Sequence, residues 1–322
     1  MADRPRVSVV IPCYQSERTV GEAISGALNQ TYPHVEVVVC LDGATDRSGA
    51  IIDAFGDLVT LVRQENQGLA AARNSAVQAA SGDLIALLDA DDVLLPPHVE
   101  RAVDRWQARD TEKAYVTCNA YTMGGSGIVP RRTVLSRSAP PVAGHRLALL
   151  QRNIVSVLSV YPREMHEEIG GFDPEMHVLE DYDFWVRAAF AGWQTLYETQ
   201  PTALYRRTGS SLSSGVDRMA EYEYLLRARV RERYADALTP AEREYLDRVT
   251  SMETQDVYLA RGDEALRAGR RRAAATEYAA AASLVPWDRR LRLKSIALRH
   301  IPPAGSLYAW RARVRTEETS RT

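Results

Sequence analysis

The feature that most constrains this chain is the spacing of four short apolar runs near its start. Val7–Ile11, Val35–Leu41, Val59–Val62 and Asp83–Leu88 are rich in valine, isoleucine and leucine, as in strands buried on both faces. Between them lie segments with helical spacing: Val20, Ala23, Ala27 and Leu28, then Ala50–Phe55, then the alanine-rich Gly68–Ala80. Thr19 with Glu22 reads as a capping box for the first helix. Strands alternating with helices of this length predict right-handed parallel crossovers, hence an α/β fold with a mostly parallel sheet and helices on both faces. Ligands of such sheets bind beyond the carboxyl ends of the strands. The sequence places Pro12–Glu17, Asp42–Asp46 and Asp89–Asp92 there, so three polar tips should share one edge. Pro12 reads as the residue that stops the first strand.

Farther on, Gly124–Pro141 is rich in Gly, Pro, Ser and Arg and reads as a mobile loop. Asn153–Tyr161 reads as a strand, Gly170–Asp173 as a turn and Tyr182–Phe190 as a helix. The small, polar stretch Gly209–Gly215 is the best boundary. It predicts one domain over residues 1–215 and a helical extension over 216–322. Gly269–Pro286 resembles the second helix of a tetratricopeptide unit. Only one such unit is found, and stacked repeats need several, so a packed helical appendage is the simpler expectation.

With 45% apolar residues and a formal net charge of -2, the chain reads as globular, and no nucleic-acid partner is expected. Cys13, Cys40 and Cys118 look like small buried hydrophobes, which suits a reducing compartment. The N-terminal MADRPRVSVVIPCYQ shows no apolar core with a cleavage site, and no run reaches about 18 apolar residues. A cytoplasmic location follows as the expectation, with peripheral contact at the inner face of a membrane left open.

Four elements carry candidate chemistry. In Leu87–Asp92, the carboxylates of Asp89, Asp91 and Asp92 follow a strand directly and repel one another unless a cation joins them. Their hard oxygens suit Mg²⁺ or Mn²⁺, although a solvated acidic loop opening a helix uses the same residues. Near the first two strand ends, Tyr14 offers a flat face, and Glu17 and Asp42 can accept hydrogen bonds from a ribose or a base. In Asn66–Asn74, Gly68 permits close backbone approach, and Arg73 is placed to reach a base or diphosphate. In Glu180–Trp185, two adjacent carboxylates either cap a helix or supply a general base. Trp185 and Trp193 have faces suited to sugar rings or to the core.

In this order, VSVVIPCYQSE, CLDGATD, NQGLAAARN, LLDADD and GGFDPEMHVLEDYDFWVR resemble the family 2 glycosyltransferases, over roughly Val7 to Ser213. The resemblance implies the GT-A fold and an inverting displacement. Residue by residue, it implies that Pro12, Tyr14, Glu17, Asp42, Gly68 and Arg73 line the nucleotide-sugar site. Asp89 would lie near the ribose, and Asp91, with Asp89, would hold the divalent cation. Asp181 would be the base with Glu180 beside it, and Asp183 and Trp185 would face the acceptor. The implied partners are a nucleotide-diphosphate sugar and a glycan, lipid-linked or small-molecule acceptor. Three positions depart from the family's pattern: Leu41 replaces an acid, Gln15 an asparagine, and Thr208 a histidine.

Two other classes compete. A nucleotidyltransferase should carry a glycine-rich basic loop after the first strand, where this chain has PCYQSE. A non-catalytic binding or scaffold protein would need neither Asp91 nor Asp181. Between Leu259 and Arg315 there are about thirteen Arg or Lys against about four Asp or Glu. That basic tail could meet a membrane or a protein partner, or simply be a solvated face.

Overall fold

The computed structural model describes residues 4–124, 127–135, 144–207, 216–250, 255–284 and 288–300. The chain divides into two compact units, Met1–Glu223 and Tyr224–Thr322. The stretch Gly209–Gly215, expected to separate two domains, lies outside the described residues, as does Thr208.

The first unit opens with β1 (Val7–Cys13), α1 (Val20–Leu28), β2 (Val35–Asp42), α2 (Ser48–Asp53), β3 (Thr60–Gln64), α3 (Leu69–Ala79) and β4 (Leu84–Leu87). β1 pairs in parallel with both β2 and β4, and β2 in parallel with β3. Every residue of β1 and β4 is buried, which is why these strands read as continuous apolar runs. Two local expectations differ. β1 continues through Pro12 to Cys13, and Pro12 is registered against Cys40, so the proline does not end the strand. Thr19 makes no side-chain cap bond. Its carbonyl accepts the amides of Glu22 and Ala23 instead.

The remainder of this unit contains β5 (Val93–Leu94), α4 (His98–Gln107), β6 (Ala114–Gly124), β7 (Gly127–Thr133), α5 (His145–Gln151), β8 (Ser159–Pro162), α6 (Arg163–Ile169), α7 (Glu180–Phe190) and β9 (Gln194–Arg206). The strands extend the same sheet in the order β3-β2-β1-β4-β8-β6-β9-β5, with β7 on β6. β8 runs antiparallel to β4 and β6, while β6 and β9 are parallel. Gly124–Pro141, expected to be loop, therefore contains strand β7, and the strand expected at Asn153–Tyr161 is confined to its end. The core joins both halves of the sheet, with Val9, Ile11, Val39, Ala86, Val116 and Val160 among its members.

The second unit takes in the end of α8 (Val216–Arg233), then α9 (Pro240–Thr250), α10 (Gln255–Arg267), α11 (Arg271–Leu284) and α12 (Arg289–His300). Its core is Ala265, Leu266, Ala274, Ala275, Tyr278 and Leu298. Gly262 lets α10 approach the Tyr278 ring, since a Cβ there would lie 3.0 Å from Cζ. Among the described residues, no helix is long and apolar enough to cross a membrane.

Candidate active site

The loops after β1 and β2 are tied together by side chains. Gln15 sits at φ +47, a left-handed conformation that branched or bulky residues avoid. Its Oε1 accepts the amides of Thr45 and Asp46 at 3.2 and 3.1 Å. The Glu17 amide donates to Asp46, and Glu17 accepts the Arg47 amide. Tyr14 is 52% exposed on this loop, so its ring is open to a ligand. Leu41, by contrast, is buried in β2.

Asp42 is not placed as the sequence suggested. It is 2% exposed. Its Oδ1 accepts Gln64 Nε2 at 2.7 Å and the Gln67 amide at 2.9 Å, and its Oδ2 accepts the Gly68 amide at 3.0 Å. With its oxygens turned inward on these donors, Asp42 shapes the loop before α3. Gly68 sits at φ +89, with open space where a Cβ would project. Glycine alone takes that conformation freely, which leaves the loop's backbone accessible.

The acidic centre lies where α3, the tip after β4 and the start of α7 meet. Arg73 of α3 is 1% exposed. Its Nη2 lies 2.6 Å from Asp89 Oδ1 and its Nη1 2.5 Å from Glu180 Oε1. One guanidinium thus joins two acidic motifs that are far apart in sequence. Burial draws Arg73 down, but Asp89, Glu180 and Asp181 outweigh it and hold the cation firmly charged. The sequence reading of Arg73 as a direct nucleoside contact is therefore corrected: enclosed and doubly paired, it positions the acids. Asn74 adds a second tie, donating to the Phe172 carbonyl and accepting the Phe172 amide.

The remaining carboxylates are poorly neutralised. Burial, then the neighbouring Asp89 charge, push Asp91 up to about 6. Burial, then Asp89 and Asp91, push Asp92 well above the usual carboxylate range. Asp92 Oδ1 accepts the Arg206 amide at 2.7 Å, while Oδ2 is buried without a partner. On the other side, burial and then Glu180 push Asp181 up to about 7, with Arg73 opposing. Asn153 Nδ2 lies 3.4 Å from Asp181 Oδ2. The Tyr205 hydroxyl is raised by burial and then by Asp92, Asp89, Asp181 and Asp91. A single phenol feeling all four charges locates both acidic motifs in one region.

Glu180 and Asp181 occupy the first turn of α7, and no side chain caps that helix. Leu179, just before them, is held at φ +63. A bulky side chain in that region costs on the order of 1–3 kcal/mol, the kind of local strain that clusters at working sites.

The donor set suits a divalent cation in one particular way. Asp89 and Asp91 are hard oxygen donors whose mutual repulsion a cation would relieve. Among the described residues, no three His, Cys, Asp or Glu side chains form a closed cage. One or two carboxylates completed by phosphate oxygens or water is the arrangement magnesium commonly adopts.

The acceptor expectation needs two corrections. Trp185 is fully buried and stacked on Tyr115, with ring centroids 5.1 Å apart, so it packs the core and presents no face to a sugar. Asp183 is 7% exposed and paired with Arg187 one turn along, at 2.7 Å. Arg187 in turn donates to the carbonyls of Ile169 and Gly171, so this pair braces the turn before α7. Sequence reasoning missed Asn153 and Tyr205 as members of the centre. Arg206 latches the acidic tip, donating to the Asp91 carbonyl at 2.8 Å and pairing with Glu22 at 2.7 Å. Asp92 stood in the acidic run from the start, whereas Asn153 and Tyr205 carried no local signal.

The solved structures most like this fold include S. aureus TarS 1-349 in complex with UDP-GlcNAc. It has a TM-score of 0.59 and 16% identity, with coverage of 98% of this chain and 92% of that one. Mannosyltransferase PcManGT from Pyrobaculum calidifontis, in complex with GDP-Man and Mn2+, matches at a TM-score of 0.57 and 21% identity, covering 98% and 87%. These likenesses show the shared GT-A fold. In sequence, an uncharacterized glycosyltransferase of Rickettsia prowazekii is 25% identical over 231 residues, 69% of this chain and 70% of its own length. Glycosyltransferase GlyG of Streptococcus pneumoniae serotype 4 is 36% identical over 110 residues, 33% and 36% of the two chains. The family model described as Glycosyl transferase family 2 matches residues 8–170. That span is half of the chain and contains the loops after β1, β2 and β4, and on it the chain belongs to glycosyl transferase family 2.

Proposed function

We propose that this glycosyltransferase is metal-dependent and inverting, and moves a sugar from a nucleotide-diphosphate donor to an acceptor hydroxyl. The observation that carries this reading is the Arg73 bridge, which brings the Asp89–Asp92 tip and the Glu180–Asp181 pair into one centre. The structures of similar fold in complex with UDP-GlcNAc and with GDP-Man and Mn2+ support a nucleotide-sugar donor. Tyr14 and Glu17, on the exposed loop after β1, are assigned to the nucleoside, with the Pro12 and Gly68 backbones beside them. Asp89 is assigned to the ribose side, and Asp42 and Arg73 act by positioning.

Asp91, with Asp89, would hold the divalent cation, Mn²⁺ or Mg²⁺, which when bound supplies charge neutralisation for a departing diphosphate. Asp181 is the general base. A carboxylate raised to about 7 is a better proton acceptor near neutrality than an ordinary one. As the acceptor oxygen bonds to the anomeric carbon, its proton passes to Asp181, and the bond to the nucleoside diphosphate breaks on the opposite face. Glu180 and Asn153 orient Asp181, so much of the acceleration comes from fixed geometry.

The test is a thermal-shift screen of UDP-, GDP-, dTDP- and CDP-sugars with and without Mn²⁺, followed by donor hydrolysis with the stabilising compound. Binding at a hundredfold excess over Kd stabilises by about 2.7 kcal/mol, so one donor class should raise Tm clearly, and more so with the cation. If no donor shifts Tm and none is hydrolysed under either condition, a non-catalytic binding protein replaces this reading.

A further inference from the structure

Helix α12 carries aliphatic side chains on two faces, and among the described residues only one face is covered. Leu291, Ser295 and Leu298 recur at i, i+4 and i+7 and turn inward. Leu298 is fully buried in the core of the second unit, and Leu291 packs against it. Lys294 leans the same way, with Nζ 3.7 Å from the Tyr278 ring centroid and 3.6 Å from Asp263. On the opposite side, Arg289, Leu293, Ile296 and His300 recur at i, i+4, i+7 and i+11, so they form one stripe. All four are exposed, with Leu293 at 64% and Ile296 at 49%. Arg292 and Arg299 flank the stripe on one edge and Arg290 on the other, and these three are exposed too. The helix, RRLRLKSIALRH, contains no acidic residue.

We propose that this outward stripe of α12 docks the protein on a bilayer surface containing anionic lipids. Single exposed aliphatics are ordinary. Two aliphatics in register, enclosed by four arginines on a helix whose own residues include no acid, combine apolar area with positive charge, the two contributions that hold a helix at a membrane interface. Leu293 and Ile296 enter the acyl boundary, while the arginine stems lie along it and their guanidinium groups stay with the lipid phosphates. Charge complementarity selects the partner, because an anionic leaflet attracts each nearby arginine. An RNA strand would engage the arginines but would gain nothing from the two aliphatics. With one short helix the association is weak and reversible. It is independent of the transfer reaction.

The experiment is co-sedimentation of the full chain with phosphatidylcholine vesicles, either pure or carrying about a third phosphatidylglycerol. The chain should pellet with the anionic vesicles, poorly with the neutral ones, and less as salt is added. Arg292→Gln with Arg299→Gln should weaken partitioning by about twenty-fivefold, at about fivefold per arginine. Leu293→Ser with Ile296→Ser should weaken it by about tenfold. All four positions are exposed, so thermal melting should be unchanged. Salt dependence and lipid preference of the parent chain test the idea without any variant. Equal binding to neutral vesicles, or no binding to anionic vesicles at low salt, overturns the proposal. So does undiminished binding by the serine variant, or binding to single-stranded RNA that matches vesicle binding and ignores the serine substitutions.

Discussion

The acid after β2 and the acids after β4 sit at neighbouring strand ends and have opposite surroundings. Asp42 is enclosed by one side-chain amide and two backbone amides. Asp91 and Asp92 feel the charge of Asp89, and Asp181 that of Glu180, with Arg73 paired to Asp89 and to Glu180 between the two groups. A carboxylate satisfied by N–H donors belongs to the architecture of a loop. A carboxylate whose nearest neighbours are other carboxylates is poised to take a cation or a proton. The same residue type at the same edge of a sheet therefore does two kinds of work, and its partners decide which.

The sharpest way to break this contrast is to remove the cation between the two acidic motifs. Arg73→Ala leaves Glu180 and Asp89 without their buried partner, and losing one member of a buried pair costs about 3–5 kcal/mol. Urea denaturation should show that loss. A variant as stable as the parent would mean that Arg73 does not bridge the motifs in solution. Asp91→Ala should weaken donor binding in Mn²⁺ on the order of a hundredfold, about 2.7 kcal/mol, by calorimetric titration. Unchanged binding would remove Asp91 from the cation site. Asp42→Ala should cost about 1–3 kcal/mol of folding stability through its lost hydrogen bonds. In equilibrium unfolding that cost should appear while the cation requirement for donor binding persists. The smallest effect is on pH. Asp181 must be ionised to accept a proton, so transfer should fall as pH drops through about 7, by about tenfold per unit below it. A rate that stays level across that range would exclude Asp181 as the titrating base.

The parallel half of the sheet was legible because its strands are local apolar runs, and β1, β2 and β3 are each followed by a helix, although β3 is only partly buried. Val7–Cys13 and Leu84–Leu87 are wholly buried, and hydrophobicity alone marks them. The other half depends on distant pairing. β6 meets β9 about eighty residues later, in parallel and through register shifts at Cys118–Ala120, and no window of sequence contains that partnership. β7 lay inside a stretch whose Gly and Pro content reads as loop. The candidate site divides in the same way. Asp89, Asp91 and Asp181 were visible as acids at strand and helix ends. The enclosure of Asp42, Arg73, Asp183 and Trp185 was not, because burial and pairing are tertiary facts. An arginine that reaches a phosphate and one that joins two carboxylates have the same local sequence. Tyr205 and Asn153 became recognisable only when β9 and the segment before β8 placed them beside the acids.

The most direct test of a single centre divided between cation and base is Asp181→Asn, measured for donor binding and for sugar transfer on the same preparation. The substitution keeps the shape of the side chain and removes its basicity. Donor stabilisation in Mn²⁺ should match the parent while transfer falls by about 10²–10⁴-fold, the usual contribution of a positioned base. Transfer at the parental rate, with donor binding intact, would contradict the account.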